Sequence, residues 1–126
     1  MKLEFMADGS PECPLIRLYA FDQSAVLQLR DLVNLLAAGK ETSASLHKQP
    51  WIESVDGCEL ELSLGQRDRG VLEVDPSRFE CVLSCEGWAD IAGLLEPFSE
   101  SDGPELYQWL NEKGKISLLI SSSGRW

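Results

Sequence analysis

Histidine occurs once in the 126 residues, as His47. That scarcity excludes multi-histidine metal sites and leaves one possible imidazole base for the whole chain. No run of 18 apolar residues occurs, so no transmembrane helix is expected. The opening MKLEFMADGSPEC has no apolar core of signal-peptide length, and a cytoplasmic location follows as the expectation. Basic residues are also scarce: eleven Lys and Arg against twenty-one Asp and Glu give a net charge of −10. A surface this acidic repels phosphates, so neither nucleic acid nor an anionic membrane is an expected partner. Phosphate loops of the Walker type, G-x-G-x-x-G, H-E-x-x-H and G-x-S-x-G are all missing.

The cysteines do not form paired metal motifs. Cys81 and Cys85 have a spacing that zinc can use, but Cys13, Cys58 and His47 supply no second pair. No metal and no cofactor are expected, and in the cytosol the four thiols stay reduced. Cys85 stands at an expected helix N-terminus, where the dipole favours a thiolate, although Glu86 opposes it. With His47 as base it makes one enzymatic alternative. Glu59 and Glu61 make another. They point to the same side of a strand, about 7 Å apart by strand geometry, a spacing compatible with an acid/base pair.

A length of 126 residues suits one domain spanning residues 1–126, with residues 1–14 expected to be loosely held. LIRLYAF (15–21) reads as a strand buried on both faces except at Arg17. DQSAVLQLRDLVNLLAAGK reads as a helix capped by Asp22 or Ser24 and stopped by Gly39. Its core face carries Val26, Leu29, Leu32, Val33, Leu36 and Ala37. Leu27 and Leu35 lie off that face as a second apolar stripe, a candidate surface for a homodimer. In CELELSL (58–64), Cys58, Leu60, Leu62 and Leu64 alternate with Glu59, Glu61 and Ser63, which predicts a half-solvated antiparallel strand. GQRDRG is expected to turn that strand into a hairpin with VLEV. FECVLS is a further strand, and CEGWADIAGLLEPF a helix over 86–96 that Pro97 should end. SESDGP (99–104) reads as an acidic loop, and NEKG as the turn of a last hairpin.

Strand 15–21 with helix 24–38 matches strand 79–84 with helix 86–96, which suggests a pseudo-duplicated β-α-β-β arrangement. The expected class is therefore α+β, a single domain with a mainly antiparallel or mixed sheet and two helices on one face. With no catalytic constellation, the leading functional expectation is a non-enzymatic interaction or regulatory module. It would bind the basic face of a protein partner, as an inhibitor or immunity protein does. Glu59 and Glu61 are its candidate acidic contacts, and Trp51, Trp126, Leu27 and Leu35 its candidate apolar ones. A small enzyme or small-molecule binder using the Glu59/Glu61 face, or Cys85 with His47, is the alternative.

Overall fold

The computed structural model describes residues 1–100 and 105–126. In it β1 (Lys2–Met6), β2 (Leu15–Tyr19), α1 (Gln23–Ala37), β3 (Ser43–Ser45) and β4 (Glu53–Ser54) precede β5 (Glu59–Leu64), β6 (Gly70–Asp75) and β7 (Arg78–Leu83). Helix α2 (Cys85–Glu100), β8 (Tyr107–Asn111) and β9 (Ser117–Ser121) complete the described residues. The class is α+β with mixed sheets, but the strands divide between two sheets rather than forming one. The first has the order β4-β1-β2-β9-β8 and the second β3-β5-β7-β6.

Helix α1 begins where Asp22 accepts the amide of Ala25 at 2.9 Å, so Asp22 and not Ser24 is the cap. It ends where Gly39 takes a left-handed φ of +71°. Ala25, Val26, Leu29, Val33 and Leu36 are buried, and α1 packs along α2. Below the helices, one continuous core joins Ile16 and Leu18 of β2, Leu60 and Leu62 of β5, Phe79 and Cys81 of β7, and Leu118 and Ile120 of β9. Trp88 is the largest side chain in it, and its indole N–H donates to Ser63 O at 3.0 Å.

Pro97 does not end α2, which runs on to Glu100. The ring removes one amide and crowds the carbonyl of Gly93, but both residues lie on the solvent side. The turn beyond is fastened from α1. Phe98 packs edge-on against Phe21 with ring centres 6.0 Å apart, and Gln23 donates to the carbonyl of Ser99. Tertiary contacts outweigh the local stop. Of the expected acidic loop, Ser99 and Glu100 are helical, and 101–104 lie outside the described residues.

The expected hairpin between CELELSL and VLEV is not formed. Strand β7 lies between β5 and β6, parallel to β5 and antiparallel to β6. GQRDRG therefore crosses over the end of β7. The amides of Gly65 and Arg69 donate to Leu83 O and Val82 O at 2.9 and 2.8 Å, and Asp68 Oδ1 accepts both the amide and the hydroxyl of Ser84 at 2.8 Å. Ser84 in turn accepts the amide of Gly87 at 3.2 Å, so one carboxylate pins the crossover to the start of α2. A Cβ on Gly87 would stand 2.4 Å from Asp68 Oδ1, which only glycine avoids. The true partner of β6 is reached through Pro76-Ser77, a tight turn in which Ser77 has φ +67°.

The two sheets share one wiring rule. Exchange β1 with β6, β2 with β7, β3 with β8 and β5 with β9, and the order β1-β2-β9-β8 becomes β6-β7-β5-β3. The register follows: Leu3 pairs Leu18 as Val71 pairs Cys81, and Leu18 pairs Ile120 as Cys81 pairs Leu62. Gln108 pairs Ile120 as Ala44 pairs Leu62. Each sheet thus takes the hairpin before the helix from one half and the strand pair after the helix from the other. Strand β4 has no counterpart and adds in parallel to β1. At the N-terminus the Met1 ammonium donates to Trp51 O at 3.0 Å and Leu3 is fully buried.

Two outcomes test this arrangement. Leu62→Ala should cost about 2–5 kcal/mol, as expected for a buried leucine. Glu61→Ala should change stability by less than about 0.5 kcal/mol, as at ordinary surface sites. Denaturant midpoints of the two variants give the ranking.

The hydrogen bonds from Ser84 hold the Asp68 carboxyl below its ordinary value of 3.8. Its contribution is therefore complete above that value and is lost as pH falls through the lower folded value. The stability difference between the native chain and Asp68→Asn should shrink as pH is lowered below 3.8, read from denaturation at a series of pH values.

Candidate functional site

A concentration of polar side chains lies on the outer face of the second sheet. Alternation along β5 sends Leu60 and Leu62 into the core and leaves Glu59, Glu61 and Ser63 outside. Strand β7 does the same with Phe79 and Cys81 inside and Glu80 outside. Because β5 and β7 are parallel and in register, Glu61 stands beside Glu80, and Glu59 beside Arg78. A cleft of about 460 Å³ opens over this face, lined by Ser45, His47, Lys48, Glu59, Glu61, Val74, Arg78 and Glu80 among others.

His47 reaches the cleft because β3 stops after three residues and turns through a short 3-10 segment, Leu46–Lys48, whose Leu46 is fully buried. The ring then takes the place of a fourth strand residue: Nδ1 lies 3.1 Å from the amide of Leu60 and 3.3 Å from its carbonyl oxygen, and Nε2 faces Glu59 Oε1 at 3.8 Å. Arg78 Nε holds the other oxygen of Glu59 at 3.2 Å and donates through Nη1 to Asp75 at 3.1 Å. The hydroxyl of Ser45 donates to Glu61, and that of Ser63 donates to Glu80 at 3.0 Å. Among the described residues neither Glu61 nor Glu80 has an ion-pair partner. Val74, 57% exposed on β6, forms the one large apolar rim.

The structure thus brings Glu59, Glu61 and His47 together. It does not bring Cys85 to them. Glu59 pairs with the first residue of β7, and Cys85 lies two positions past the last, so the thiol and the imidazole belong to opposite ends of a ladder roughly 16 Å long by strand rise. Cys81 and Cys85 also part company, the first fully buried and the second exposed. Among the described residues no group of three or more His, Cys, Asp or Glu is disposed to hold a metal ion.

The apolar candidates scatter. Trp51 is half-buried against the core, with its carbonyl taken by the N-terminus. Trp126 stacks edge-on with Trp109, ring centres 6.2 Å apart, against the first sheet. On α1, Leu27 is 44% exposed and Leu35 half-buried. None of these four lines the acidic cleft.

Glu80, Arg78, Ser45 and Val74 belong to the site without having been singled out from the sequence. Glu80 was readable as outward-facing, since it falls between Phe79 and Cys81. Its neighbour was not, because the pairing of β7 with β5 has no local signal. Comparison with protein-family models, with curated proteins and with solved structures finds no match to this chain.

The four thiols should separate cleanly by environment. Burial pushes Cys58 up to about 11 and Cys81 up to about 12, so neither forms a thiolate near neutrality. Exposed Cys85 and half-exposed Cys13 should react with an aromatic disulfide reagent in the native protein, and Cys58 and Cys81 only after denaturation. Mass spectrometry of the labelled peptides gives the order.

Proposed function

We propose that the protein is a non-catalytic interaction module that seats a basic segment of a partner protein in the cleft over β5 and β7. One observation carries the reading. Glu61 and Glu80 stand side by side on an open sheet face, each accepting a hydroxyl and neither in an ion pair among the described residues. A lysine or arginine from a partner supplies the cation that this pair of carboxylates does not find among the described residues. Val74 offers apolar contact on the same rim, which matters because exposed ion pairs contribute only about 0–1 kcal/mol each. The net charge of −10 adds long-range attraction and speeds encounter. An inhibitor-like or immunity-like role fits this chemistry, with neither nucleic acid nor an anionic membrane as partner. A cytoplasmic setting is part of the proposal: all four cysteines are free, and no helix of the described residues is long and apolar enough to cross a membrane.

A second reading has its own observation. The cleft falls within the roughly 300–1,000 Å³ of small-molecule sites, and His47 Nε2 stands 3.8 Å from Glu59 inside it. Against catalysis, Glu59 keeps 43% of its side chain exposed and is already paired with Arg78, so it has little of the desolvation that tunes an acid or base.

Affinity capture with the native chain and with Glu61→Lys/Glu80→Lys as parallel baits tests the first reading. The expected partner is a basic protein retained by the native chain alone. Its association should slow as salt rises from about 50 to about 500 mM, where the Debye length falls to a few ångströms. Association indifferent to salt and to the double charge reversal would sink it, and capture of nucleic acid would do the same.

A further inference from the structure

A second cavity, of about 750 Å³, opens where β6 meets the end of the first sheet. It shares no lining residue with the acidic cleft. Two glycines set its position. Gly70 has φ +81°, and a Cβ there would stand 2.7 Å from the amide nitrogen of Gly114. A Cβ on Gly114 would stand 2.8 Å from Val71 O. The turn between β8 and β9 therefore lies directly on the start of β6, where Val71 and Ile116 form an isolated antiparallel bridge. The cavity lies beside that bridge, and its wall is apolar: Phe5, Pro14, Val71, Leu72 and Ile116. Phe5 is backed by buried Phe79, ring centres 4.6 Å apart, so the core holds the wall in place.

The charge of this cavity is opposite to that of the chain. Its lining carries Lys113, Lys115 and one acid, Glu73, although acids outnumber bases by twenty-one to eleven overall. Glu112, beside Lys113 in sequence, is not among the lining residues. Lys113 Nζ lies 4.0 Å from Asp68 Oδ2, so part of its charge is already answered. Among the described residues Lys115 and Glu73 have no ion pair, with each other or elsewhere. Lys115 is thus the cation that this apolar wall presents to a ligand.

We propose that the cavity binds a small carboxylate with an apolar body, of the medium-chain fatty-acid class. The body lies against Phe5, Pro14 and Leu72, and the carboxylate sits at Lys115 with Lys113 beside it. The volume is within the roughly 300–1,000 Å³ of small-molecule sites, whose walls are mostly apolar with a few polar groups that fix orientation. Apolar burial supplies the affinity, and the lysines select the sign of the head group. An added strand does not fit, because Ile116 already bridges the start of β6. The net charge of −10 repels anions at range, but physiological salt screens that field beyond about 8 Å, and the contact with Lys115 is closer than that.

Titration of the full chain with octanoate, decanoate, decanol and decylamine, each below its micelle concentration and followed by amide NMR shifts, tests the proposal. Decanoate should shift the amides of Phe5, Leu72, Lys115 and Ile116 and leave those of Glu59–Leu64 in place. Octanoate should bind roughly tenfold more weakly, since it buries two CH₂ groups fewer. Decanol and decylamine should bind more weakly than decanoate, because neither offers an anion to the lysines. Lys115→Glu, at an exposed position, should weaken decanoate roughly tenfold. Glu73→Gln, also exposed, removes the opposing acid and should strengthen it. Amide spectra unchanged away from the substituted residue show that each variant is folded. Absence of decanoate shifts at the cavity overturns the proposal. So does decanol or decylamine that binds as tightly as decanoate, or a decanoate affinity indifferent to Lys115→Glu.

Discussion

The parallel pairing of β2 with β9, and of β5 with β7, is the constraint on which the rest of the structure depends. Residues 15–19 join residues 117–121, and residues 59–64 join residues 78–83. The first ladder spans nearly the whole chain, so the first sheet closes only when the last strand arrives. Neither half carries a complete sheet. Each follows its own helix with a strand pair, β3–β5 or β8–β9, that joins the hairpin of the other half, and the two helices pack against each other. Loop-closure entropy opposes such long-range pairs until core burial offsets it, which makes the fold cooperative across its full length. The crossover at residues 65–69 follows from the same constraint: β6 must clear β7 to reach its outer side, and Asp68 is what holds it there.

Local features of this arrangement were legible in the sequence. The alternation of CELELSL predicts the facing of β5 residue by residue, because a period of two survives any choice of neighbour. The stripe from Val26 to Leu36 and the caps Asp22 and Gly39 predict α1 for the same reason: cap and face are set within the segment. The failures lie where a distant group intervenes. Pro97 reads as a stop until Phe21 and Gln23 are seen to hold the next turn. GQRDRG has the composition of a hairpin turn, and nothing local shows that Asp68 bonds Ser84, sixteen positions away. For the site, sequence alone placed Glu59 and Glu61 on one face, but Glu80 joins them only through β5–β7 pairing, and His47 only through the early end of β3.

Equivalent positions in the two halves have been put to different uses. At the edge of the second sheet, Ser45 and His47 satisfy backbone and carboxylate groups, and the polar side chains gather on the open face beside them. Over the middle strands of the first, the tail packs on the outer face instead: Arg17 binds Glu4 and Gly124, and its guanidinium lies 4.1 Å from the Tyr19 ring centre. One sheet therefore presents charge in a cleft, and the other presents aromatic surface along its edge strand.

That division sets two chemically different surfaces on one acidic chain. In the cleft Glu61 and Glu80 stand with His47, Lys48 and Arg78, and Arg78 is bound to Glu59 and Asp75. Under the function proposed above, a partner guided by charge is directed to the second sheet, where the carboxylates of β5 and β7 gather. The two halves of the sequence repeat the wiring of the strands while differing in the residues that line the edges.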